Sequence, residues 1–125
     1  MIKKFILVLF LAITIISDAN AQSTLALQEK CAEGARKFLK DYASEFICSQ
    51  NNHYNKKLDK CFIRIFCFNS GTKVRSIEVY DVFESVSLGS YVRYIDGSLI
   101  GCDVGRKVCN SMEEFEALIK PYMEE

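Results

Sequence analysis

The sequence has no tryptophan, one proline and one histidine among 125 residues. A single histidine, His53, narrows nucleophile-and-base catalysis, because any such triad must pass through it. It also leaves a zinc site short of its usual nitrogen donors. No Cys-x-x-Cys pair occurs: five residues separate Cys61 from Cys67, and six separate Cys102 from Cys109. Thiol redox chemistry at a helix start is therefore not expected, and neither is a cofactor or metal. Charge of one sign is lacking too, with 16 basic and 16 acidic residues. Such a chain has no overall field to hold it on nucleic acid or an anionic membrane.

The one long apolar run lies at the start. Lys3 and Lys4 precede Phe5 to Ile16, and Ala19-Asn20-Ala21 follows. A basic end, an apolar segment too short to span a bilayer and an A-x-A site predict a secretory signal peptide over residues 1–21, cut before Gln22. Nothing downstream reaches the roughly 18 apolar residues that a membrane helix needs. Residues 22–125 then form one domain with one core, periplasmic or secreted. This part holds 14 basic and 15 acidic residues.

Six cysteines, at 31, 48, 61, 67, 102 and 109, remain after that cut. An even number in an oxidising compartment predicts three disulfides.

The apolar residues Leu27, Cys31, Ala35, Phe38, Tyr42 and Phe46 recur at three- and four-residue steps, which predicts an amphipathic helix from Leu25 to about Ile47. Asn51 to Lys60 reads as a polar, lysine-rich loop. Cys61 to Phe68 alternates as a strand apolar on both faces, so both faces are expected to find cover or one to be partly sheltered, and Arg64 needs a partner. Asn69-Ser70-Gly71-Thr72 marks a turn into a strand over Val74 to Phe83. Leu88-Gly89-Ser90 reads as another turn, Tyr91 to Ile95 as a third strand, and Asp96-Gly97 as a tight hairpin into Leu99 to Asp103. Ser111 with Glu114 forms a capping box, opening a short helix with Phe115, Leu118, Ile119 and Tyr122 on its buried face; Pro121 is expected to end or distort it. The sum is an α+β domain: a helix, a four-stranded antiparallel meander and a closing helix.

Packing the first helix antiparallel to the first strand favours Cys31–Cys67, Cys48–Cys61 and Cys102–Cys109. About 25 Å of helix then matches about 20 Å of strand. The loop between them is long enough to run back along the helix, which leaves Cys31–Cys61 with Cys48–Cys67 as the close alternative.

Candidate chemistry is sparse. Lys56, Lys57, Lys60 and Arg64 form the one basic cluster, and with His53, Tyr54 and Asn55 the loop is a candidate partner-binding segment. Glu78, Asp81 and Glu84 fit a solvated sheet face better than a glycosidase pair. Tyr80, Tyr91 and Tyr94 fit cross-strand packing.

The run His53-Tyr54-Asn55-Lys56-Lys57-Leu58-Asp59-Lys60-Cys61-Phe62, with Cys109 to Phe115 and Pro121 to Glu125, resembles a group of small exported bacterial proteins of uncharacterised function. The resemblance implies a bacterial periplasmic or secreted location and supplies no activity or catalytic residues. The order of elements is also similar to cystatin-like folds, but that family's Gln-x-Val-x-Gly loop is absent. Three readings of function follow, the first as the expectation and the other two as its alternatives. The first is a non-catalytic binding, inhibitor or envelope-associated protein with an unknown protein or cell-envelope partner. The others are a thiol-redox or metal-binding enzyme and a structural envelope component that assembles through its sheet edges.

Overall fold

A computed structural model describes residues 23–42 and 46–124. The expected signal peptide, residues 1–21, lies outside them. Residues 23–42 form helix α1. Six strands follow: β1 (Ile47–Asn55), β2 (Lys60–Asn69), β3 (Val74–Asp81), β4 (Val86–Tyr94), β5 (Leu99–Val104) and β6 (Lys107–Val108), then helix α2 (Met112–Met123). The strands pair in chain order as one antiparallel meander.

The α+β class holds, but the sheet has six strands instead of four. The added β1 occupies Ile47 to Asn55, which the helical periodicity and the polar Asn-rich run had divided between helix and loop. As an edge strand, β1 tolerates that polarity, because only alternate side chains need burial. Leu88-Gly89-Ser90 is not a turn and lies inside β4. The chain reverses instead at Val82 to Ser85.

Three of the hairpins share one construction. Each preceding strand ends in Asn or Asp, whose side-chain oxygen accepts from backbone N–H groups ahead of it: Asn55 from Leu58, Asn69 from Gly71 and Thr72, Asp81 from Phe83 and Glu84. Four residues after each comes a residue in the left-handed region, Asp59, Lys73 and Ser85, with φ of 52°, 59° and 54°. The Asn or Asp supplies a local substitute for ladder hydrogen bonds and so stops each strand at that point.

Alternation along β2 sends its two faces into two cores. Cys61, Ile63 and Ile65 pack with Cys31, Ala35, Phe38 and Tyr42 of α1. On the opposite face Phe62 meets Tyr122 of α2 edge-on at 5.4 Å, and Arg64 forms a bidentate pair with Glu116. Val79, Tyr91, Cys102 and Val104 continue that second core under Phe115 and Ile119. The sheet is thus covered on both faces, by α1 on one and α2 on the other. Each fully buried Ile or Phe contributes about 1.5–3 kcal/mol.

The disulfides are Cys31–Cys61, Cys48–Cys67 and Cys102–Cys109. The first two correct the favoured pairing to its alternative. The reason is the extra strand: β1 pairs with β2 in a register that sets Cys48 directly opposite Cys67, with Cα atoms 4.2 Å apart. Cys31 then faces Cys61 from the helix.

Half of the expected capping box forms: the N-cap Ser111 accepts from the Glu114 N–H, whereas the Glu114 carboxylate reaches one residue further back and accepts from the Asn110 N–H. Pro121 does not end α2, which continues to Met123. Beneath that last turn, buried Asn55 donates to the Pro121 and Tyr122 carbonyls at 2.9 and 3.1 Å. These are among the carbonyls that a helix end leaves unsatisfied.

Candidate functional site

Helix α2 starts at Met112 and finishes over Phe62 and Asn55, so among the described residues the other end of its sheet face has no helix over it. Two rows of side chains cross that end. Ser49, Phe66, Ile77 and Tyr91 make the inner row, and Ile47, Phe68, Arg75 and Arg93 the outer. With Met112 at the helix start, these residues line an open trough of about 380 Å³. Phe66, Phe68 and Ile77 are half-buried, and Ile47 is 74% exposed.

The electrostatics of the trough are one-sided. Arg64 lies over the Phe66 ring at 4.7 Å but is neutralised by Glu116. Arg75 and Arg93 sit directly opposite each other on β3 and β4. Among the described residues neither joins an ion pair. Arg75 rests 5.8 Å from the Phe68 ring centre. Like charges directly across an antiparallel pair are unfavourable.

The opposite face of the same end carries a more polar hollow of about 470 Å³, lined in part by Tyr42, Val74, Glu78 and Tyr94. There Glu78 accepts from the Tyr42 hydroxyl at 2.6 Å and the Tyr80 hydroxyl at 2.5 Å. Burial first, and then the bond to Glu78, push Tyr80 up to about 12 and raise Tyr42 as well. Both phenols stay protonated donors at neutral pH, so the group clamps α1 to β3 and offers no activated nucleophile.

The chain matches no family model, no curated protein and no solved structure. The site therefore stands on its own geometry.

The candidate loop residues are split by the fold. His53, Tyr54 and Asn55 belong to β1, Lys56 and Lys57 to the exposed turn, and Lys60 opens β2. Tyr54 is buried, donates through its hydroxyl to Asp59, and gives its backbone N–H to Gln28 Oε1 at 2.9 Å. Lys60 pairs with Asp81 at 2.9 Å and Glu84 at 3.2 Å, which raises its pKa through those hydrogen bonds. Lys56 and Lys57 are the members of the group that the fold leaves exposed.

All six cysteines are in disulfides. Among the described residues no group of His, Cys, Asp and Glu could hold a metal ion, and no helix is long and apolar enough to cross a membrane. Sequence reasoning missed Arg75 and Arg93. Their signal was two cations at outward positions of strands whose neighbours on that face are Phe and Ile, but reading it requires the β3–β4 register.

Proposed function

We propose that this is a small exported protein, delivered by a signal peptide over residues 1–21, that acts by binding and not by catalysis. Its three disulfides fit an oxidising compartment such as the periplasm or the extracellular space. The observation that carries the reading is the trough. It is an apolar hollow, edged by two arginines that pair with no carboxylate among the described residues, on a sheet tied from its opposite face by Cys48–Cys67 and bounded at one end by α2. Hollows of a few hundred Å³ with few convergent polar groups are the usual form of small-molecule sites.

The test is amide-resolved NMR of the disulfide-intact protein titrated with the neutral apolar dye Nile red. Shifts gathered at residues 47–49, 66–68, 75–77 and 91–93 support the reading. Shifts confined to residues 56–60 return the binding surface to the lysine turn, and no saturable shifts at all refute a binding trough.

A further inference from the structure

We propose that the trough binds a single-chain anionic amphiphile of the alkyl carboxylate class, with its head between Arg75 and Arg93 and its chain laid across the sheet toward Ile47. This rests on the trough being the binding surface.

The first argument is charge complementarity. Two guanidinium groups are carried on directly opposed residues, Arg75 turned toward Phe68 and Arg93 toward the Gly97 hairpin, and among the described residues no carboxylate pairs with either. A bound carboxylate answers both, because the planar fork of each arginine matches its two oxygens. The nearest comparable cation on this face, Arg64, already has that arrangement with Glu116. An anion at Arg75 and Arg93 repeats a pairing that the protein makes internally on the same face.

The second argument is the direction of polarity. From β4 to β1 the outer row runs Arg93, Arg75, Phe68, Ile47, and the inner row adds Ile77 and Phe66. Three strand spacings make the crossing about 14 Å. One end is cationic and the other apolar apart from Ser49, which is the pattern of a head and a tail. A volume of about 380 Å³ fits a small ligand. It does not fit a folded partner.

The geometry also argues against an acidic peptide added to the sheet as a strand. The long open edge is β1, whereas the arginines stand on the third and fourth strands, about 10–14 Å inward. At the other edge β6 pairs with Asp103 and Val104 and leaves only the short stretch 99–101 of β5 open beside Arg93, too little for a laddered strand. A strand laddered on β1 cannot bring its side-chain carboxylates there.

The test is calorimetric titration of the disulfide-intact protein with dodecanoate below its micellar range. Parallel arms use neutral dodecyl maltoside and cationic dodecyltrimethylammonium. Saturable one-to-one binding of dodecanoate is expected, with the other two at least tenfold weaker. Replacing both arginines by Glu, Arg75→Glu with Arg93→Glu, should weaken dodecanoate about 100-fold, as loss of two charge-assisted contacts requires. The uncharged pair Arg75→Gln with Arg93→Gln serves if the glutamates disturb the fold, and circular dichroism checks both. Equal binding of all three amphiphiles, or dodecanoate binding untouched by the arginine changes, overturns the anionic head while leaving the trough reading intact. Failure of Nile red to reach the trough as well brings down both.

Discussion

Asn55 gives the sharpest quantitative test of how the fold is held, because its surroundings demand an amide and exclude a carboxylate of the same shape. Its side chain is 1% exposed. The NH2 group donates to two carbonyls at the end of α2, and the oxygen accepts from Leu58 N–H at 2.9 Å in the β1–β2 turn. One residue therefore ties the first hairpin to the last helix. Asn55→Ala leaves a turn N–H and two helix carbonyls without these partners. At about 1–3 kcal/mol for the stranded N–H, plus a smaller amount for carbonyls near solvent, the loss is about 3 kcal/mol. With a urea slope near 1.5 kcal/mol/M, that moves the unfolding midpoint by about 2 M. Asn55→Asp keeps the shape but turns a donor into a charge facing two carbonyl oxygens, so at pH 7 it should cost at least as much. Burial and those carbonyls raise the introduced carboxyl's folded pKa above its unfolded value. Relative stability is then greatest at low pH and falls as pH rises through the folded pKa, so the gap to wild type should shrink between pH 7 and pH 3. The assay is urea unfolding followed by circular dichroism at both pH values. An Asp variant within about 0.5 kcal/mol of wild type at pH 7, or a gap unchanged by pH, refutes the assigned hydrogen bonds.

Gly89→Ala should cost about 3 kcal/mol, since a Cβ there lies 2.5 Å from the Asp103 carbonyl oxygen and 2.9 Å from Val104 Cα across the β4–β5 ladder. Gly101→Ala on β5, with nothing within 4 Å, should stay within about 0.5 kcal/mol; thermal melts of both compare them directly. Ultraviolet titration of the phenols should show Tyr80 ionising only near pH 12, with Tyr42 also well above its ordinary value. Because these folded pKa values exceed the unfolded ones, their stabilisation is whole below pH 10 and is lost as pH rises beyond it; Glu78→Gln should bring Tyr80 ionisation down. Peptide mapping of the unreduced protein should recover Cys31 linked to Cys61 and Cys48 to Cys67. Replacing both Cys48 and Cys67 by Ala should cost about 3 kcal/mol, for a bond spanning 19 residues of sequence.

The sequence made some elements plain and hid others for identifiable reasons. The start of α2 was legible because Ser111 and Glu114 act locally, through their own backbone neighbours. The two-faced apolar pattern of β2 foretold cover on both sides, and each side has its helix. The hairpin at Asn69 was visible, yet the same device at Asn55 and Asp81 was not. Asn55 is followed by lysines and a leucine, and Asp81 by Val82 and Phe83, so neither carries the glycine that marks a turn. The periodicity of α1 ran on into Phe46 and Ile47 because apolar residues there suit an edge strand as well as a helix. That overrun concealed β1, and with it the opposition of Cys48 and Cys67. The arginine pair was hidden for a different reason: it exists only across strands, and no local pattern encodes register.

The order of the cysteine bonds bears on how the protein is made. Along the chain the partners interleave, since Cys48 lies between Cys31 and Cys61, and Cys61 lies between Cys48 and Cys67. A chain threaded N-terminus first into an oxidising compartment presents Cys31 and Cys48 together before either true partner has arrived. Joining cysteines in order of appearance then yields a wrong bond at the first opportunity. Reaching the native set requires a thiolate to attack and release that bond. Production of the correctly linked protein should therefore depend on a disulfide isomerase, and an oxidase alone should accumulate isomers.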